Sequence, residues 1–222
     1  MSEWDDLPLF PLNTVLFPGM VLPLHIFEER YKLMINRCLE EERPFGVVLI
    51  REGQEVGPGA VPYSIGTTAM IAQANSLEEG RWNIITIGGE RFRLQTLRHD
   101  LPYLLGSAEP WPLTGAESDR AQRQVEPVQA LFRQYLSLLA QAQGHRIDVE
   151  VPGEPRLLAL VVAIAMQLPM PQKQQLLTRP TVADMLWAER ALMRREQLIL
   201  NQIIQTQTDQ WEGGFSGYLA KN

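Results

Sequence analysis

Four sets of side chains in this sequence have types that could do chemistry: His25, His99 and His145; Cys38; Ser216; and the run Glu40-Glu41-Glu42. Imidazoles ligate metals and move protons near neutral pH, but ligands on one element need a spacing such as H-x-x-x-H. The three histidines share none, so they read as separate imidazoles and no metal is expected. Cys38 is the only cysteine, which excludes an internal disulfide and a multi-thiolate metal site. A nucleophilic thiol needs a lowered pKa and a base in reach. Cys38 instead continues an apolar stripe with Tyr31, Met34 and Ile35, where a free cysteine behaves as a small hydrophobe. Ser216 sits in Gly214-Phe215-Ser216-Gly217-Tyr218. Tyr218 stands where a G-x-S-x-G elbow needs glycine, and no strand precedes it. Acid/base carboxylates need environments that push their pKa values apart, whereas a glutamate run at a helix end reads as a solvated face. No catalytic residue and no cofactor is expected, and the chain reads as a non-enzyme.

Trp82, Arg91, Phe92 and Arg93 are the strongest signal for a nucleic-acid surface, since interleaved aromatic and basic side chains stack bases. Charge argues against it. The formal net charge is −6, and residues 1–115 hold nine basic against fifteen acidic residues, while residues 116–222 hold eleven of each. Phosphate binding calls for a basic patch, and none is visible. Strand alternation also makes Phe92 a core residue. No nucleic-acid partner is expected.

The elements that must position these residues fall into two kinds. Residues 7–110 read as short strands cut by Gly and Pro, with one helix. Leu7–Leu12 carries Pro8 and Pro11, which lack a ladder N–H, so this strand is expected at an edge or broken early. Phe17-Pro18-Gly19-Met20 is a turn signal, followed by a strand over Val21–Phe27. Glu28–Glu42 is an amphipathic helix with Tyr31, Met34, Ile35 and Cys38 on its apolar face. Strands are expected at Gly46–Arg51, Gly66–Ala74, Trp82–Ile87, Arg91–Leu97 and Tyr103–Ala108, with Gly88-Gly89 as a hairpin turn. Glu52–Pro62 reads as a loop. So many short strands predict a curved barrel or sandwich.

The second half is helical. Ser118 to Gln143 forms one pattern with Gly144 as C-cap, and Pro127 marks a kink or a fresh start. A short extended stretch, His145–Pro152, leads to a buried helix over Pro155–Leu168, closed by Pro169 and Pro171. Thr181 to Asp184 opens a last helix with a capping box, running to about Gln207. Its apolar pairs Met185/Leu186, Leu192/Met193 and Ile199/Leu200 suit a helix docking on its own domain. The division expected is a barrel lobe over 1–115, a helical lobe over 116–210 and a flexible tail over 211–222. The acidic N-terminus is unlike a secretory signal, and the apolar run Leu157 to Met170 is too short for a bilayer. Neither export nor membrane insertion is indicated, and a cytoplasmic location is expected.

The opening residues carry a family resemblance. Leu7-Pro8-Leu9, then Leu16-Phe17-Pro18-Gly19-Met20-Val21-Leu22-Pro23-Leu24, then Ile26-Phe27-Glu28 and Arg30-Tyr31 resemble the start of the N-terminal substrate-recognition domain of Lon proteases. Gly66-Thr67 and Ile87-Gly88-Gly89-Glu90-Arg91-Phe92 continue the order over about residues 7–205. The resemblance implies an α+β fold, a PUA-like curved β-barrel followed by a C-terminal helical bundle, and a role in selecting protein substrates. The sequence contains no G-x-x-x-x-G-K-[ST] phosphate loop, so the resemblance implies a stand-alone recognition module without ATPase or peptidase. The expected partners are unfolded or partner polypeptide segments, with or without a separate protease, held on an open strand edge or an apolar surface. Tyr63, Met70 and Trp82 are the candidate contact residues. The alternative is a PUA-like protein that binds a small ligand or RNA.

Overall fold

The computed structural model describes residues 4–55, 59–144 and 150–219, with side chains to residue 206. Parts of the loop Glu52–Pro62, of the stretch His145–Pro152 and of the tail, with the side chains of His145 and Ser216, lie outside the described residues. The elements are β1 Trp4–Leu12, β2 Val21–Ile26, α1 Glu29–Glu40, β3 Phe45–Glu52, β4 Val61–Pro62, β5 Ile65–Ser76, β6 Trp82–Arg98, β7 Leu104–Pro110, α2 Asp119–Gln143, α3 Pro155–Ala165, α4 Met170–Leu177 and α5 Val182–Leu219. The chain divides into two compact units, Met1–Thr114 with Ala163–Pro180, and Gly115–Val162 with Thr181–Asn222.

The first unit is built on one sheet whose pairings close on themselves. β1 pairs β7, β7 pairs β6, β6 pairs β5, β5 pairs β3, and β3 returns to β1 in parallel. β1 is therefore not an edge strand, contrary to the reading of its prolines. It pairs β7 over Trp4–Leu9 and β3 over Leu9–Leu12. Changing partner at Leu9 leaves Pro8 and Pro11 each with a ladder on one side only, so a missing N–H can face the unpaired side.

The interior of this ring is small. Leu7, Leu9, Val48, Phe92 and Ala108 fill it, and Phe92 is fully buried. A Cβ on Gly46 or on Gly66 would lie 2.7 Å from Phe92 Cζ, so the ring closes around an aromatic only because those wall positions carry no side chain. The other face of the same strands packs on α1, where Tyr31, Met34, Ile35 and Cys38 are the buried residues. They join Phe10, Phe45 and Ile84 in a second cluster.

Gly88-Gly89 is not a hairpin. β6 runs unbroken through both residues, and neither has a positive φ. What the position needs is space: a Cβ at Gly88 would sit 2.1 Å from the Phe17 carbonyl oxygen, and one at Gly89 would sit 2.6 Å from Thr68 Oγ1. Gly88 N–H donates to Met20 O at 2.9 Å, and Gly19 N–H to Gly88 O at 2.8 Å. The Phe17–Gly19 turn thus lies directly on the strand. Pro169 and Pro171 also differ from expectation. They do not simply close a helix; Pro169 caps α4 and Pro171 lies in its first turn, where a proline's missing N–H has no helical partner to lose.

In the second unit the local signals match the elements. Ser118 Oγ accepts from Ala121 N–H, and Gly144 closes α2 in the left-handed region at φ 68°. Thr181 Oγ1 accepts from Asp184 N–H at 3.1 Å and donates to the Asp184 carboxylate at 2.7 Å. α2 continues through Pro127. α5 packs along α2 and extends past Gln207 to Leu219.

Candidate binding surface

β2, the first half of β6 and the second half of β5 form a three-stranded extension of the ring. Their two faces differ. Leu22, Leu24 and Ile26 of β2, Trp82 and Ile84 of β6, and Ala69, Ile71 and Ala74 of β5 turn inward to the cluster under α1. The residues between them turn out, as a period of two requires. Val21 is opposite Ile87, and Ile87 is opposite Met70. All three are apolar and open to solvent, at 58%, 43% and 46% exposure. Pro23 opposite Ile85 extends the patch on two strands, with polar Gln73 of β5 on the other side of Ile85, and Ile85 is 38% exposed. Scattered exposed apolar residues are ordinary on a protein surface, whereas an in-register rung on three neighbouring strands with an apolar pair beside it makes one continuous patch.

β2 is also an edge. Among the described residues it pairs only with β6. The Gly88-to-Met20 hydrogen bond fixes the phase of the ladder, which alternates along an antiparallel pair. Leu22, Leu24 and Ile26 then bond β6, while the main-chain groups of Val21, Pro23 and His25 point to the open side. Pro23 is thereby placed where it loses no ladder bond. It also removes one donor from the open edge, a common way to limit uncontrolled strand pairing.

Beside that edge lies a cavity of about 340 Å³ lined by residues that include Phe10, Leu12, Tyr31, His25, Phe27 and Glu55. Phe10 and Tyr31 close its floor with ring centroids 4.1 Å apart. Burial pushes the Tyr31 hydroxyl up to about 12, partly opposed by the Arg30 guanidinium, which lies 4.3 Å from the Tyr31 ring centroid. Phe27 stays 53% exposed at the rim, and its ring stacks on His25 with centroids 6.0 Å apart.

The three residues singled out from sequence are not brought together. Met70 stands on the outward apolar face. Trp82 belongs to the inward face and its indole Nε1–H donates to Asn36 Oδ1 at 3.0 Å. Tyr63 is half-buried between β4 and β5, its N–H donating to Leu49 O at 2.9 Å. Val21, Ile85 and Ile87 were not singled out by the sequence reading. Their signal was available: Ile84-Ile85-Thr86-Ile87 in one strand puts apolar side chains on both faces, more than a half-buried strand needs.

The remaining reactive side chains are committed elsewhere. Cys38 is buried, and burial raises its thiol to about 11, the inert direction. Arg91 is buried, and its Nη1 donates to Leu177 O at 2.6 Å and Arg179 O at 2.9 Å, the carbonyls at the end of α4. Arg93 stacks on Trp111 at 3.6 Å. With Phe92 inside the ring, the Trp82-Arg91-Phe92-Arg93 set forms no common surface. No group of three His, Cys, Asp or Glu side chains is placed to hold a metal ion among the described residues. Within those residues no helix is long and apolar enough to cross a membrane.

Comparison with known proteins agrees with the fold. The Lon N-terminal domain protein from Xanthomonas campestris superposes with a TM-score of 0.57 at 24% identity, over 82% of this chain and 94% of that one. The N-terminal domain of the Mycobacterium avium complex Lon protease superposes with a TM-score of 0.66 at 20% identity, over 86% and 98%. A Lon protease of Anaeromyxobacter dehalogenans (strain 2CP-C) is 29% identical over 204 residues, which make 87% of this chain and 24% of that protein. One of Paraburkholderia phytofirmans (strain DSM 17436 / LMG 22146 / PsJN) is 31% identical over 185 residues, 79% of this chain and 23% of its own length. The chain thus spans under a quarter of the length of these relatives. The ATP-dependent protease La (LON) substrate-binding domain family matches residues 6–195, and the chain belongs to that family.

Proposed function

We propose that this protein is a non-catalytic module that recognises polypeptides, and that it grips apolar segments of unfolded or partner chains on the outward face of β2, β6 and β5. The observation that carries this reading is the in-register rung Val21–Ile87–Met70, with Pro23–Ile85 beside it. Val21, Met70, Ile85 and Ile87 leave between 38% and 58% of their surface in water. Covering them is worth about 25 cal/mol per Å² of apolar surface removed. The open edge of β2 adds main-chain donors and acceptors at Val21 and His25, a sequence-independent contribution to affinity. Pro23 keeps that edge from pairing along its whole length. Side-chain contact, not strand addition, is therefore the main source of affinity.

On this reading the first unit is a PUA-like barrel lobe and the second a helical lobe that forms a bundle. The module acts in the cytoplasm, by presenting bound segments to a protease or to another partner. Metal and cofactor have no part in it. The closed ring of pairings in the first unit and the family membership support this reading.

The test uses lysozyme, reduced and alkylated with iodoacetamide so that it stays unfolded, with binding followed by fluorescence anisotropy. The wild-type chain is expected to bind it, and Ile87→Asp to weaken binding at least about tenfold, as for a residue central to an interface. Thermal stability should change by no more than about 0.5 kcal/mol, as for a surface position. Unchanged affinity in Ile87→Asp, or no binding by the wild type, would refute the reading.

A further inference from the structure

The apolar rungs leave one feature of the same region unused, the cavity beside the open edge of β2. Its walls are aromatic, with Phe10 and Tyr31 at the floor and Phe27 and His25 at the rim, and its lining includes two carboxylates, Glu28 and Glu55. Glu28 is answered by Arg30 at 3.0 Å. Glu55 is not answered in kind. Its Oε2 accepts from Asn13 Nδ2, a neutral donor, at 3.2 Å, and among the described residues it forms no ion pair. The Arg30 guanidinium stands close by, stacked on Tyr31 at 4.3 Å and donating to the Glu55 backbone carbonyl at 3.2 Å. Among the described residues the Glu55 carboxylate itself has no cationic partner within ion-pair distance, so the cavity joins apolar ring surface to a carboxylate still open to one.

That combination fits one type of side chain best. Lysine and arginine carry an aliphatic stem, which lies along apolar surface, and a charged end, which seeks a carboxylate or an aromatic face. An acidic side chain would meet Glu55 with repulsion. A wholly apolar one would cover Glu55 and strip it of water, which is unfavourable for an unpaired charge. The excess of acidic over basic residues in the first half of the chain, fifteen to nine, favours approach by a cationic segment through the same sign of field.

We propose that this cavity receives the Lys or Arg side chain of a bound polypeptide, so that the module selects segments in which a basic residue stands near apolar ones. The proposal rests on the polypeptide reading above and names the class of segment that the surface takes. Spacing follows from β2 itself. The outward rungs begin at Val21 and the cavity is bordered by His25, so the two sites are about four residues apart, some 13 Å along an extended chain. A segment bearing an aliphatic residue and a basic residue about four positions apart can fill both sites at once.

The test measures anisotropy of short labelled peptides on the whole chain. The parent peptide carries leucine and lysine about four positions apart; in the second peptide norleucine replaces the lysine, and in the third glutamate does. The parent is expected to bind about five- to tenfold tighter than the norleucine peptide at low salt, as for one partly enclosed ion pair with an aromatic contribution. That ratio should shrink toward one in Glu55→Gln. Glu55→Lys should instead prefer the glutamate peptide, a reversal that loss of folding cannot produce. Equal binding of the lysine and norleucine peptides to the wild type would overturn the proposal and leave the polypeptide reading standing. So would an unchanged ratio in Glu55→Gln. If no peptide binds at all, both fall. Met70→Ser/Ile87→Ser separates the two further, since it should weaken the lysine and norleucine peptides alike and keep their ratio.

Discussion

Ile84 and Ile85 are neighbours in β6, yet Ile84 is 1% exposed under α1 whereas Ile85 keeps 38% of its surface in water. The same contrast runs along the whole extension, with Trp82 and Ile84 against Ile85 and Ile87, Leu22 and Leu24 against Val21 and Pro23. Side-chain chemistry does not separate the two sets. What separates them is that one face has α1 and the cluster around it, and the other has no covering element among the described residues. Fully burying an isoleucine is worth about 1.5–3 kcal/mol, so the inward face contributes folding energy, and the outward face, with Ile85 and Ile87 38% and 43% exposed, has roughly half of that energy per side chain still available for a ligand. The contrast makes a definite claim: substitutions on the inside should cost stability, and substitutions on the outside should cost binding.

The largest expected effect is at the centre of the ring. Phe92→Ala should destabilise the protein by about 3–5 kcal/mol, the cost of emptying a tightly packed aromatic site, as read by denaturant unfolding. Gly46 and Gly66 offer no side chain that could move into the space. A loss under about 1 kcal/mol would show that the ring does not depend on filling its interior. Gly88→Ala comes next, at about 2 kcal/mol, because the added methyl must displace the Phe17 carbonyl or the strand. If Gly88 served as a turn residue the damage would be in the β6 register, and hydrogen exchange would show it spread through β6. Crowding predicts instead that protection is lost first in the Phe17–Met20 turn.

These two positions also show where sequence patterns carry structural information and where they do not. The α1 stripe, the start of α2 at Ser118, its Gly144 cap and the Thr181–Asp184 box were all legible, because each is set by residues within one or two turns of one another. Gly88-Gly89 was misread because its cause, the Phe17 turn, lies about seventy positions away in the sequence, and a glycine needed for space has the same letter as a glycine needed for positive φ. β1 was misread for a similar reason: whether a proline is tolerated depends on which side of the strand is paired, and the change of partner at Leu9 is invisible locally. Arg91 could not be placed at all, since the α4 carbonyls that hold it come from residues 177 and 179. Of the surface, Met70 was singled out as a residue to test. Its partners across the rung were not, because register between strands is a tertiary fact.

A buried carboxyl in the other unit tests whether interior positions set stability without touching binding. Glu189 is fully buried in α5, and neither carboxylate oxygen has a hydrogen-bond partner. Burial raises its pKa well above the usual carboxylate range. The folded state therefore keeps the proton when the unfolded chain has already released it, near pH 4.3 for an ordinary glutamate, and stability falls as pH rises from about that value toward the folded pKa. Glu189→Met should remove this decline and stabilise the protein at neutral pH by about 1–2 kcal/mol, by analogy with other buried charges replaced by apolar side chains. Thermal unfolding between pH 4 and pH 8 reads it, and a wild-type curve no steeper than the variant's would contradict the assignment. Polypeptide binding should be unchanged.

The smallest expected change in stability belongs to the outward face, and there the comparison is most exposed to failure. Met70→Ser and Val21→Ser each remove an apolar side chain that is about half in water already, so each should shift unfolding by only about 0.5 kcal/mol or less. The same changes take away one end of the Val21–Ile87–Met70 rung, and each should weaken binding of the alkylated lysozyme severalfold, with the double variant weaker again. Both ends touch Ile87 and share one ligand, so their effects on affinity need not add. A serine at either end that costs 2 kcal/mol of stability would mean that the outward face supports the fold after all. A serine that costs neither stability nor binding would mean that the rung is apolar without purpose.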